Sequence, residues 1–165
     1  MTAANDSPRD NPGIIAPPPL IALAAIVVGL LLDWLVPVYV LETLLSGWAR
    51  GLIGGLMAAT GVAIGLAGRQ RFVEAETNVN PWKPAVHLAT AGIYRYVRNP
   101  MYTGLILLAA GIGIALASDW TLVLLVPTAL VLHYGVVLRE ERYLERKFGE
   151  DYRRYKASVA RWGIW

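Results

Sequence analysis

Four stretches of this chain are too long and too apolar to sit on the surface of a soluble domain. The first contains the unbroken run LIALAAIVVGLLL; residues 51–68 carry no charge; residues 99–118 carry none until Asp119; and a fourth run follows from 120 to 138. A helix of about 20 residues crosses a hydrocarbon layer of about 30 Å. The runs therefore predict four transmembrane helices, over about 18–37, 48–67, 99–118 and 120–138. Composition agrees: 56% of the 165 residues are hydrophobic and 16% charged, against roughly 25% charged in ordinary soluble domains. Intrinsic disorder is excluded by the same figures. The fold class expected is an all-α integral membrane bundle in one membrane domain. There is no cysteine, which removes disulfides, thiolate metal sites and cysteine nucleophiles, and two histidines are too few for a His-rich metal site.

The basic residues are unevenly placed. Arg9 precedes the first run and Arg50 borders the second. Arg69, Arg71, Lys83, Arg95 and Arg98 lie between the second and third, and eight more follow the fourth, from Arg139 to Arg161. The turn between runs three and four has none. This is the positive-inside pattern, and it places both termini and the loop 69–98 in the cytoplasm. The expected location is multi-pass in the inner membrane of a bacterium, with basic residues facing anionic headgroups. Residues 1–13 are polar and read as a disordered tail without the basic start of a secretory signal. The pI near 9.3 would suit nucleic acid in a soluble protein, but four spans leave that reading no room.

Within the spans, Gly47, Gly51 and Gly55, then Gly61 and Gly65, form a small face on the second helix. Such a face lets backbones approach in lipid, for packing inside the bundle or in a dimer, so monomer and homodimer both stay open. Asp33 is expected to reach headgroups or water, because a carboxylate at the bilayer centre costs roughly 2.5–3.5 kcal/mol. Pro127 marks a tolerated kink. Spans three and four form a hairpin around Ser118 and Asp119. Tyr102 lies 17 residues before Asp119 and Glu140 lies 21 after it, so at about 1.5 Å per residue both return to one membrane face.

Two segments meet there. GIYRYVRNPMYTG (residues 92–104) places Asn99 as a helix N-cap and Pro100 at the first helical position. The open N–H groups of that helix, with Arg98 beside them, suit an anion. REERYL (residues 139–144) brings two carboxylates. Together they suit a zwitterion: Arg98 and the helix start for its carboxylate, Glu140 or Glu141 for its ammonium. Tyr94, Tyr96 and Tyr102 offer ring faces. An interfacial tyrosine belt and a solvated charge cluster explain the same residues more plainly. Beyond them, Leu144, Phe148, Tyr152, Tyr155 and Val159 recur at helical spacing opposite Arg146, Lys147, Arg153, Arg154 and Lys156. This predicts one cytoplasmic amphipathic helix over 139–165, lying on the membrane or capping the loop.

The pattern L-x-T-x-G-x-Y-R-x-x-R-N-P-x-Y-x-G, followed by E-E-x-x-L-x-x-x-F-G-x-x-Y-x-x-Y, resembles the isoprenylcysteine carboxyl methyltransferase family and the related membrane phospholipid N-methyltransferases. It runs here from Leu88 through Thr90, Gly92, Tyr94, Arg95, Arg98, Asn99, Pro100 and Tyr102 to Gly104. It resumes with Glu140, Glu141, Leu144, Phe148, Gly149, Tyr152 and Tyr155. The resemblance implies S-adenosylmethionine as cofactor, with Val86, His87, Leu88, Ala89 and Tyr94 lining the adenosine pocket. Asn99, Pro100, Met101, Tyr102 and Glu140 would hold the rest of it. Two positions depart from the family. Asn99 replaces a common histidine and cannot titrate; Val136 stands where eukaryotic carboxyl methyltransferases have a substrate-contacting arginine, a role for which Arg139 is a substitute.

The activity expected is methyl transfer to a membrane-embedded or amphiphilic acceptor, an isoprenylcysteine-type carboxylate or a phospholipid amine. Arg98, Arg139 and Glu141 are the candidates for orienting that acceptor or, for Glu141, taking its proton. The rival is a non-enzymatic four-helix scaffold or small transport subunit, which accounts for the glycines and charge asymmetry but not for two paired blocks at one face.

Overall fold

The computed structural model describes residues 10–80 and 82–163. Among these there is no strand. Three helices are long and apolar enough to cross a membrane, and a fourth apolar helix is shorter. α1 is Pro18–Leu35, α2 a short Val40–Leu44 turn, and α3 Gly47–Glu74. A 3₁₀ turn at Gly92–Arg95 precedes α4, Pro100–Ala115. α5 (Asp119–Leu132) runs through a π-turn, His133–Val137, into α6 (Leu138–Phe148), and α7 is Glu150–Ser158. The all-helical membrane bundle expected from the runs is the fold observed.

α4 lies between α3 on one side and α1 with α5 on the other. Its contact with α3 is made by paired glycines. A Cβ at Gly54 would lie 2.5 Å from the Gly111 carbonyl oxygen, and one at Gly61 would lie 2.5 Å from that of Gly104. Gly104 and Gly61 approach each other reciprocally, and Gly68 receives Pro100 and Met101. Only hydrogen fits between the backbones, so the antiparallel helices pack closely without a hydrophobic driving force. The packing face differs from the one read in the sequence. Gly47, Gly51 and Gly55 meet nothing across the bundle, whereas Gly54, Gly61 and Gly68 form the seam, with the Gly65 backbone lying against Gly104. The seven-residue interval keeps that seam facing α4 over about two turns at a time.

The hairpin between α4 and α5 is closed by side chains. The Ser118 hydroxyl accepts from Thr121 N–H at 3.2 Å, capping α5. Asp33, at the end of α1, accepts from the Ser118 hydroxyl and from the Trp120 N–H. It is thus a tie between α1 and the hairpin, where the sequence suggested a group reaching headgroups or water. Asp119 does the same for α2, accepting from Val40 and Leu41 N–H at 3.0 and 3.1 Å.

Three further boundaries differ. α3 continues to Glu74, so the loop read as 69–98 starts later and Phe72 arrives on a helix. α4, at 16 residues, is shorter than the run of 20 in the sequence, because Leu116 and Ala117 already turn, Ala117 at φ +55°. The amphipathic tail is two helices, broken at Gly149 with φ +54°, and Val159 is extended. The break folds α7 back over the loop, which selects capping over lying flat: Tyr155 Oη donates to the Tyr94 carbonyl at 2.8 Å. Of the expected tail, residues 1–9 and 164–165 lie outside the described residues.

Candidate active site

A pocket opens where the loop, α4, α6 and α7 meet. It encloses about 870 Å³ of space between atoms, its open mouth included, and is lined by Phe72, Thr77, His87, Leu88, Ala89, Tyr94, Arg98, Asn99, Met101, Tyr102, Glu140, Glu141, Tyr152 and Tyr155, among others. Concave sites with apolar walls and a few convergent polar groups are the usual form of ligand sites. The wall from Thr77 to Ala89 is shaped by the Thr77 hydroxyl, which accepts from Val86 N–H at 2.9 Å and His87 N–H at 3.3 Å. Tyr94 is buried and its ring stands 5.5 Å from that of Phe72.

The two adjacent glutamates point to different partners, as a 100° step along a helix requires. Glu140 accepts from the Tyr102 hydroxyl at 2.6 Å. It stands beyond the apolar stretch of α5, in the charged segment that opens α6. Burial pushes its carboxyl up to about 7, against the lowering effect of the Tyr102 bond, with the neighbouring Glu141 charge adding to the rise. Glu141 is buried and held by two arginines. Arg161 donates from Nε and Nη2 to its two oxygens, both at 2.8 Å, in the bidentate fork that guanidinium favours. Arg98 Nη1 stands 3.0 Å from the same carboxylate. That approach is off the hydrogen-bonding line, so Arg98 Nε and Nη1 are buried and donate to nothing among the described residues. Arg98 is 9% exposed, Glu141 5%. A buried guanidinium with open N–H groups is costly unless something accepts from it.

Of the residues singled out in the sequence, Arg98, Glu141, His87, Leu88, Ala89, Tyr94, Asn99, Met101, Tyr102 and Glu140 line this pocket. Val86 is exposed and contributes its backbone to the loop, and Pro100 is buried against Gly68. Arg139 does not line it; its Nη1 donates to the Gly13 carbonyl at 2.9 Å. Asn99 precedes α4 but makes no side-chain cap. Its Nδ2 donates to the Arg161 carbonyl at 3.1 Å, and Arg98 N–H donates to the Ala160 carbonyl at 3.0 Å. The start of α4 is therefore tied to the chain's last segment, and the opening N–H groups of α4 have no side-chain cap. Both Glu141 oxygens accept from Arg161, so its lone pairs are engaged in holding the tail segment in place.

Arg161, Tyr143 and Phe72 are parts of the site that the motifs did not single out. Arg161 sits 20 residues beyond its partner, and no short-range pattern links them.

The model of the phospholipid methyltransferase family matches residues 49–151, from α3 to the start of α7. The chain belongs to that family. The matched span holds the first sequence block, the second as far as Gly149, and most of the pocket, and leaves out α1, Tyr152, Tyr155 and Arg161. A Haemophilus influenzae protein recorded as an uncharacterized protein is 39% identical over 62 residues, 38% of this chain and 98% of its own. No solved structure matches. Membership in the family, together with the apolar helices, makes the chain a membrane methyltransferase.

Proposed function

We propose that this protein transfers a methyl group from S-adenosylmethionine to an amphiphilic acceptor drawn from the bilayer. The observation that carries the reading is the pairing of opposite charges on one pocket: the open N–H groups of buried Arg98, and the carboxylate of Glu140. That is the complement of an amino-acid zwitterion. The residues fit the cofactor on the same grounds. Arg98, with the uncapped start of α4 at Met101 and Tyr102, would hold its carboxylate. Glu140 would hold its ammonium, and His87, Leu88, Ala89 and Tyr94 would wall its adenosine. When bound, the cofactor supplies a methyl group on a positively charged sulfur, open to direct displacement.

The chain's own work is alignment and exclusion of water. Good positioning removes about 7–11 kcal/mol of barrier in favourable cases. Glu141 is assigned here to organising Arg98 and Arg161, in place of acting as base or acceptor ligand. Arg139, anchored on Gly13, is assigned no acceptor contact. The acceptor is an isoprenylcysteine-type carboxylate or a phospholipid amine, and it reaches the pocket from the apolar side, where α4 begins and α5 ends. The basic residues of the loop and tail support a cytoplasmic position for this face, at the inner membrane of a bacterium, by the positive-inside rule.

The test is transfer of labelled methyl from S-adenosylmethionine into host membrane extract, followed by mild base. Label released as methanol means a carboxyl ester, and label retained in lipid means N-methylation or a thioether. No transfer, together with no saturable binding of S-adenosylhomocysteine to the folded protein, overturns the reading.

A further inference from the structure

One hydroxyl joins three segments around the pocket. Tyr143, buried on α6, donates to Asp10 Oδ1 at 2.9 Å and accepts from Ala85 N–H at 2.9 Å and Lys147 Nζ at 3.1 Å. A phenol has one proton and two acceptor positions, so its hydrogen-bonding capacity is fully used. Ala85 stands two residues before His87 in the pocket wall. Asp10 belongs to a segment whose Pro12 also lines the pocket.

That segment, residues 10–15, lies along α6 and the π-turn. Ile14 is buried against Leu132 and Val136, and Ile15 donates its N–H to the Gly135 carbonyl at 3.3 Å. The Ile15 side chain occupies the space a Cβ at Gly135 would need. Between this apolar anchor and Asp10 come Gly13, exposed with φ +61°, and Pro12, which lines the pocket. The inner end of the segment is fixed by burial. Among the described residues, the outer end at Asp10 is held by polar contacts: Tyr143 and a 2.7 Å pair between Asp10 and Lys147, with Arg139 donating to the Gly13 carbonyl behind it. An exposed pair of that kind is weak by itself. Gly13 is placed to act as the pivot.

We propose that Tyr143 is a positioning residue of the cofactor site, holding the Pro12 wall and the Ala85–His87 wall closed on the ligand through its hydroxyl. The proposal rests on the reading above that this pocket takes the adenosine of the cofactor. Tyr143 touches neither methyl donor nor acceptor chemistry; it sets how long the ligand stays.

The test uses the full-length protein in detergent or nanodiscs with S-adenosylhomocysteine as probe. In Tyr143→Phe, dissociation of the probe speeds about tenfold and the KM for S-adenosylmethionine rises by a similar factor, while kcat stays within about twofold. Raising salt speeds dissociation in the wild type, because the Asp10–Lys147 pair is exposed and screened. The effect is absent in Lys147→Met. A tyrosine that only packs α6 would change thermal stability and leave the salt dependence intact. Unchanged dissociation in Tyr143→Phe overturns the proposal. If the folded wild type binds no probe, the cofactor reading fails instead. The coupling is then read by amide hydrogen exchange: faster exchange at both Ala85 and residues 10–15 in Tyr143→Phe supports it, and unchanged exchange overturns it.

Discussion

Glu140 shows what a single carboxyl contributes when its surroundings hold the proton. With its pKa raised to about 7 by burial, part of the population is neutral at physiological pH. A cofactor ammonium binds the ionised form, so binding displaces a proton, and affinity for S-adenosylhomocysteine rises with pH up to about 7 and then levels. Glu140→Gln removes this slope and weakens binding by about 1.5–3 kcal/mol; calorimetry between pH 5.5 and 8 reads both. Glu141 behaves differently. Replacing it by Gln leaves Arg98 and Arg161 facing each other without an anion, and breaking such a buried pair costs about 3–5 kcal/mol. Chemical unfolding in detergent would show the loss, whatever the effect on activity. The paired glutamates were legible in the sequence as chemistry at one membrane face. Their different partners were not, because these are Tyr102 across the bundle and Arg161 in the tail. Arg139 was read as a substitute for a missing arginine on proximity in sequence, yet its helix phase turns it toward Gly13.

The elements follow the apolar runs closely, and the errors lie where tertiary contacts decide. α3 carries seven glycines, and four-residue spacing alone marked Gly47, Gly51 and Gly55 as the packing face. The observed seam uses Gly54, Gly61 and Gly68, set by where Gly104 and Gly111 fall on α4. The two faces predict opposite mutational outcomes. Gly61→Ala forces the backbones apart and lowers stability by about 1–3 kcal/mol. Gly51→Ala, facing open space, leaves stability unchanged or raises it by up to about 1 kcal/mol through the helix preference of alanine. Thermal melts of the two variants in one detergent compare them directly. The split of the tail into α6 and α7 had a visible signal in Gly149, a residue suited to its positive φ. The π-turn at His133–Val137 had none; it is the place where Ile15 seats on Gly135.

For the whole molecule, the described ends of the chain, the loop and the pocket all lie at one membrane face: Asp10 pairs with Lys147, and Ala160 accepts from Arg98. The other face carries α2 and the Ser118 hairpin. With no native cysteine, single-cysteine labelling maps this cleanly. Trp82→Cys and Arg154→Cys should react with a membrane-impermeant maleimide only in inverted inner-membrane vesicles, and Ala117→Cys only in intact spheroplasts. Reaction of 82 and 117 from the same side would break the four-crossing topology. One dimension of the bundle sets a further condition. α4, with 16 residues, is about 24 Å long, some 6 Å less than an average hydrocarbon core. Lipids beside it must compress or the headgroup plane must dip, at a cost of fractions of a kcal/mol per Å. Were the shortfall taken up at the Pro100 end of α4, where Tyr102 meets Glu140, the bilayer would carry a headgroup toward the pocket. Turnover should therefore depend on acyl-chain length, falling in thick bilayers that resist the deformation, with cofactor affinity unchanged.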